Sequence, residues 1–430
     1  MKRKVLSVGS SLLTAALALA TFAGLASAQG GTTVATGLNG PQGVVVGPDG
    51  TIWVAEAGLG GEEEIDASGS PTGEAAAITF GQTARVVAIA ADGTQTVAVA
   101  LPSIAFGQEV AGAARLALLG DALYITNGDW IEFAGMERRP LMGVVARVAN
   151  GQATEVADTW AFEVANNPDP NLIHSHPYDL AAGPDGLLWV IDAGGNDLIK
   201  VDPASGKVEL VAVFGGVPSP IPNANRGGAL ESDPVPTGIA FDGAGNAYVS
   251  LLPGVPFLPG AAKVVKVGSD GAVSNFATGL TMLTDLQEGP DGMIYAVSIG
   301  QFTQQGPLPN TGAVLRIKEG TASEVVVGGL SFPTSLDFNQ AGDAYVTING
   351  IGAPGSGQVV RYAALTALAG SSLPAPASAA GAAPVGLPET GGSVPGVGWV
   401  TLAVGSILMI AGLALGTARR RGSRVRSQNQ

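Results

Sequence analysis

The stretch Asp179-Leu-Ala-Ala-Gly-Pro-Asp-Gly-Leu-Leu-Trp189-Val reads as two short strands joined by a tight turn, because small and apolar residues flank a Gly-Pro-Asp-Gly punctuation mark. The pattern recurs from Gly43 through Trp53, from Gly238 through Tyr248, from Asp285 through Tyr295 and from Ser335 through Tyr345. A sixth copy, shorter by one residue, runs from Arg115 through Tyr124. Self-similarity at such a period is the mark of a propeller or an array. A second hairpin follows five of the copies, as in Lys263-Val-Val-Lys-Val with Val273-Ser-Asn-Phe, and two hairpins make one four-stranded blade. The expected fold is therefore all-β, a six-bladed β-propeller of four-stranded blades.

The last copy has a third strand, Gly357-Gln-Val-Val-Arg-Tyr362, and then runs into an Ala/Pro/Ser stretch. At the other end, Thr33-Val-Ala-Thr-Gly-Leu38 precedes the first copy with no blade of its own. It matches the outer-strand segment Asn275-Phe-Ala-Thr-Gly-Leu280, so the N-terminal strand is expected to complete the last blade and close the ring. The propeller is placed at residues 29–364.

The flanks carry addresses. Lys2, Arg3 and Lys4, an apolar run to Leu25 and the triplet Ala26-Ser27-Ala28 form a signal peptide over residues 1–28. Residues 365–386 read as a flexible Ala/Pro/Ser linker. Leu387-Pro388-Glu389-Thr390-Gly391 is followed by an apolar span at 397–418, long enough for a transmembrane helix, and by a basic cytoplasmic tail at 419–430. This order resembles an LPXTG cell-wall sorting signal. The resemblance implies attack by a sortase on the Thr390 carbonyl and transfer to peptidoglycan, with the helix holding the chain in the membrane beforehand. In a cell lacking sortase the same residues give a single-pass membrane protein.

The net charge is −14, and removing the three basic residues at 2–4 and the five at 419–426 takes it to −22 for the exported part. No basic surface is left to neutralise phosphates, which excludes nucleic acid as a partner. Cysteine is absent, so the fold closes without disulfides and no thiolate metal site exists.

His176-Pro-Tyr-Asp-Leu, Val190-Ile-Asp-Ala-Gly-Gly-Asn-Asp-Leu-Ile-Lys-Val-Asp202 and Pro253-Gly-Val-Pro-Phe-Leu-Pro-Gly-Ala-Ala262 resemble the ScyD/ScyE family of exported propeller-like proteins, over roughly residues 32–362. The resemblance implies the fold and little about activity. His176 stands where that family's pattern has Asn. More distantly the repeats resemble NHL and gluconolactonase/regucalcin-like propellers, an analogy of fold that does not license function.

Within each blade the first-to-second and third-to-fourth turns are short, and the long segments (57–84, 127–142, 158–176, 214–235, 251–262, 299–312 and 348–356) fall at the other connections. In a four-stranded meander those emerge on one face, which is the expected binding face for an unidentified surface ligand. His174 and His176 lie there, as candidate metal ligands or acid/base groups, or as a surface-loop pair without that role. Asp192 and Asn196 leave the second strand of the same blade, and with Asp179 and Asp285 they form a candidate oxygen set for a divalent cation, calcium first, around the mouth of the central channel. Loop-capping carboxylates are the alternative. Aligning the inner strands puts Gly43, Arg115, Asp179, Gly238, Asp285 and Ser335 in one ring, in which Arg115 is placed to pair with Asp179 and leave Asp285 free. The recurring aromatics, one per blade, read as core. Two functions stay open: a wall-anchored binding module, and a metal-dependent lactonase or esterase-like hydrolase.

Overall fold

The computed structural model describes residues 30–65, 78–107, 109–131, 137–170, 173–303 and 306–373. The signal peptide, the sorting pentapeptide Leu387 to Gly391, the apolar span at 397–418 and the tail lie outside the described residues.

The six sequence repeats form six antiparallel sheets, each built on four strands, which in the first five follow one another along the chain. Their inner strands are Pro41–Val46, Ala113–Leu119, Pro177–Ala182, Pro236–Phe241, Leu283–Glu288 and Ser335–Phe338. Each of these touches the inner strand before it and the one after, and the sixth touches the first, so the sheets form a closed ring, a β-propeller. Closure comes from the N-terminus: Thr32–Leu38 pairs antiparallel with Gly357–Tyr362 as the outer strand of blade 6, from Thr32 opposite Arg361 to Leu38 opposite Gly357.

The turn chemistry explains the repeat. In blade 3 the Asp185 carboxylate accepts hydrogen bonds from the Leu187 amide and from the Trp189 indole at 3.1 Å. In blades 4 and 5 the equivalent carboxylates of Asp242 and Asp291 accept from the hydroxyls of Tyr248 and Tyr295 at 3.0 and 2.9 Å. An aromatic carrying one polar atom is thus tied to its own turn while its ring packs between blades, which is why aspartate and aromatic recur together.

Each inner strand runs from the face bearing the long segments, the loop face, to the face bearing the tight turns, the turn face. In blades 1 to 5 the pairing of first and second strands slips one or two residues after the strand begins, as between Pro41 and Gly43 or Leu283 and Asp285. These bulges turn carbonyls toward the axis. Two blade contacts there require glycine: a Cβ on Gly43 would lie 2.5 Å from the Ala114 carbonyl oxygen, and one on Gly238 would lie 2.6 Å from the Leu286 nitrogen.

Several long segments are more ordered than their sequence suggests. Residues 158–176 include an α-helix, Thr159–Asn166, capped by Asp158 through the Ala161 amide and ended by Asn167 in the left-handed region. The segment at 57–84 extends blade 1 outward, with Glu63–Ile65 pairing against Ile78–Ile89. Residues 214–235 carry a hairpin of Val217–Asn223 with Ala229–Ser232. The fold also continues past residue 364, where the linker was expected to start. Leu365 is fully buried, Ser371–Ser372 pairs with Glu324 and Val325, and Leu373 packs on the core between blades 4 and 5.

Candidate functional site

The six candidate residues do not gather at one mouth. Asp179 and Asp285 sit in the ring around the axis; His174, His176 and Asp192 form a buried cluster under the loop face of blade 3, with Asn196 at its edge.

Arg115 occupies the axis. Its guanidinium donates to the main-chain carbonyls of Gln42, Thr284 and Thr334, residues immediately before the ring positions of blades 1, 5 and 6. It also lies over the Tyr178 ring, 4.6 Å from the centroid, and donates to that residue's hydroxyl. One side chain from blade 2 therefore braces blades 1, 3, 5 and 6. Its Nε lies 4.0 Å from Asp179 Oδ1 and 3.8 Å from Asp285 Oδ1, so Asp285 is not free: both carboxylates face the same cation.

Each carboxylate has a second task, between blades. Asp179 accepts from the Leu180 amide and, across to blade 4, from the Ile239 amide at 2.7 Å. Asp285 repeats this with Leu286 and, in blade 6, Leu336 at 2.8 Å. Ser335 and Asp337 make the same reach from blade 6 to the Val44 and Val46 amides of blade 1. Burial, with Asp285 beside it, pushes Asp179 up to about 8, and burial also raises Asp285. These residues do not fit a divalent cation. The place it would take at the axis is held by a guanidinium, and the carboxylate oxygens already serve backbone amides. Among the described residues, no group of three or more His, Asp or Glu side chains is arranged to hold a metal.

On the loop-face side the axis is covered by apolar side chains rather than opened to ligands. Tyr178, Val235, Met282, Leu252 and Ile299 are buried together, with Phe257, Phe302 and Phe332 packed on them. Val235, Met282 and Phe332 hold equivalent positions three residues before the ring and adopt φ of 45, 46 and 48°. A β-branched or bulky residue there is strained, and the repeated strain turns each side chain in over the axis.

The histidines are buried, not a surface-loop pair. Chain segment His174–Ser175 pairs with Trp130–Ile131 of the preceding blade, which carries both imidazoles over Asp129. His174 Nε2 lies 2.6 Å from Asp129 Oδ1, and His176 Nδ1 lies 3.6 Å from Oδ2. Burial works against charge on both rings. For His174 the Asp129 carboxylate outweighs it and the pKa is raised, whereas His176 is lowered and stays neutral. Asp192 accepts from the Ser175 hydroxyl at 2.6 Å and from the amides of His176, Gly194 and Gly195, so it shapes the turn after its strand. Asn196 is likewise structural, donating to Asp169 and accepting from the Val235 amide. Sequence reasoning missed Glu109 and Glu163, both pushed up to about 8, by burial first and then by Asp129 and Asp192 respectively. Neither residue stands in a motif, and nothing in the repeat pattern marks them.

Of the open concavities, two lie on the faces of the ring. One, of about 430 Å³ on the loop face, is walled by Gly40, Gly58, Gly107, Gly350 and Gly352 with Leu59 and Ile351, and among the described residues no titratable side chain lines it. The other, of about 390 Å³, is an axial funnel on the turn face with Arg115, Asp179 and Asp285 in its lining.

No family model matches the chain, and no curated protein matches it in sequence. Solved structures similar in chain path include a PQQ-bound aldose sugar dehydrogenase from Streptomyces coelicolor, at 14% identity and a TM-score of 0.45, covering 78% of this chain and 96% of that one. A gluconolactonase from Xanthomonas campestris matches at 13% identity and 0.41, covering 78% and 98%. Virginiamycin B lyase from Staphylococcus aureus matches at 13% and 0.40, covering 75% and 94%. These are likenesses of overall path alone, and no family assignment follows from them.

Proposed function

We propose that this protein is a wall-anchored display propeller, which binds an unidentified ligand on its loop face and is not a hydrolase. The observation that carries the reading is where the chain leaves the ring. After Tyr362 it passes along the turn face: the Ala364 amide donates to Asp343, Thr366 lies against the Gly342 turn, and the Thr366 and Leu368 carbonyls accept from Arg316. The last described residues follow the outer edge of blade 5, where Ser371–Ser372 pairs with Val325 and Glu324 at the turn-face end of the outer strand, and residues 374–386 separate them from the sorting pentapeptide. A tether leaving the turn face points the loop face, with its glycine-walled cavity, away from the wall. On this reading the partners are a sortase, peptidoglycan and the membrane before sorting, and the location is the cell surface. The described lining of that cavity offers backbone groups, the Gln42 amide and apolar side chains, which suit recognition and include no acid or base. The metal-dependent hydrolase alternative loses the residues it rested on.

The absence of cysteine makes the test direct. Leu59→Cys places a thiol on the loop face and Met293→Cys one on a turn of blade 5, both at exposed positions. A bulky maleimide added to intact cells is expected to label the first quickly and the second only after wall digestion. Thr390→Ala is expected to leave the protein in the membrane fraction. Equal labelling of both thiols would refute the orientation, wall linkage of the Thr390 variant would refute the anchor, and turnover of lactones or esters by the purified protein would refute the binding role.

A further inference from the structure

We propose that the turn-face funnel is a second binding site, for a neutral polyhydroxylated molecule, with one ligand hydroxyl held between Arg115 Nε and the Oδ1 atoms of Asp179 and Asp285. This stands apart from the loop-face reading and does not need it.

Three observations lead there. The first is an unpartnered donor: Arg115 is 2% exposed and its terminal nitrogens are bonded, yet its Nε has no hydrogen-bond partner. It faces the two carboxylate oxygens at 3.8 and 4.0 Å, beyond direct hydrogen-bond reach, so its N–H is left over at the base of the funnel. The second is the chemistry of those three groups. An anion there would accept from Nε and be repelled by whichever of the two carboxyls is ionised; a cation would suit that carboxylate and be repelled by the guanidinium. A hydroxyl accepts with its lone pairs and donates its proton, so it satisfies both sides.

The third is the wall above. The Gln287 amide donates to Asp337 Oδ1 at 2.6 Å, and this pair lines the funnel one step nearer the turn face than the ring. Its remaining amide N–H and carboxylate lone pairs offer a second hydroxyl a donor and an acceptor. At the same level blades 2, 3 and 4 carry only Ala117, Ala181 and Ala240, which keep the passage wide. At about 390 Å³ the funnel falls within the roughly 300–1,000 Å³ typical of small-molecule sites. Burial of Asp179 and Asp337, pushed up to about 8 and about 6, is relieved when hydroxyl donors enter.

The test uses the full-length protein in mild detergent, with sorbitol and glucose as probes. Ethylenediamine and acetate serve as cation-only and acceptor-only controls. Calorimetry is expected to show saturable one-to-one binding of at least one polyol, accompanied by a shift of the Arg115 Nε–H resonance in ¹⁵N-arginine-labelled protein. Ala181→Leu, which narrows the funnel, and Asp337→Asn, which alters the upper pair, are each expected to weaken binding about tenfold or more, the loss of roughly 1.4 kcal/mol. No saturable binding of either polyol overturns the proposal, as does wild-type affinity in both variants. Binding of ethylenediamine or acetate without polyol binding overturns it as well. A linear rise in melting temperature shared by wild type and variants is solvent exclusion, and also counts against it.

Discussion

At the residue scale the axis is decided by Arg115. A buried guanidinium is tolerated because its terminal nitrogens are answered by three main-chain carbonyls and a tyrosine, and its charge by two carboxylates nearby. Removing one partner of such a group leaves the others buried and uncompensated, at a cost of about 3–5 kcal/mol. Arg115→Ala is therefore expected to lower the thermal midpoint by roughly 6 °C or more. Adding Asp285→Asn to that variant is expected to recover part of the loss, since the two sites share one interaction. Calorimetry of the two variants checks both, and a midpoint within a degree of wild type for Arg115→Ala would show that blade packing alone holds the axis. The ring itself was legible: aligned repeats put Arg115, Asp179 and Asp285 at one level. The direction each side chain takes was not. Strand alternation says which residues share a side, but bulges displace the carbonyls and apolar residues in the left-handed region close the loop-face end, so the shared opening lies on the turn face. The histidines show the same limit, since their burial depends on Asp129, forty-five residues earlier and in another blade.

At the element scale the period-two strands and Asp-Gly turns specify each blade almost completely, because those signals are local and repeat six times. What escaped is what the repeat does not contain. Helix Thr159–Asn166 is eight residues long and is stabilised by burying Thr159 and Glu163 against the neighbouring segment, and little in its composition separates it from a loop. The closing strand Thr32–Leu38 was legible for the opposite reason, as an outer strand lacking a blade. It buries Ala35 and Leu38 and covers the backbone edge of Gly357–Tyr362. Deleting residues 31–38 removes those contacts and leaves an uncovered sheet edge, so aggregation and a lower midpoint are expected. A synthetic peptide of residues 31–39 is expected to restore the midpoint in part. An unchanged melting curve after deletion would mean that the ring holds without its outer strand.

At the scale of the whole molecule, an acidic chain has folded an unusual number of its carboxyl groups inside. Burial raises Asp179, Glu109 and Glu163 to about 8, Asp337 to about 6, and Asp192, Asp197 and Asp285 above the usual range. A carboxyl whose folded pKa lies above its unfolded value keeps a proton that the unfolded chain has released. Each such group therefore favours unfolding progressively as pH rises from about 4 toward its folded pKa. The histidines pull in opposite directions, since raised His174 loses stabilisation with rising pH while lowered His176 gains it. Asp129, held low by the imidazoles against the effect of burial, and several exposed turn aspartates such as Asp49 oppose the trend only below pH 4. The chain also becomes more negative with pH, and self-repulsion acts in the same sense. Stability is thus expected to peak near pH 5 and decline through pH 8. A net displacement of even one pKa unit is worth about 1.4 kcal/mol, or a fall of roughly 3 °C or more in midpoint. Scanning calorimetry at constant ionic strength between pH 4.5 and 8.5 measures the slope. Glu163→Gln, which keeps the shape of the protonated side chain and removes its titration, is expected to flatten it. A midpoint that climbs from pH 5 to 7, or a slope untouched by the Glu163 substitution, would mean that these carboxyls are charged in the folded protein and that the His174 and Arg115 cations govern its response to pH.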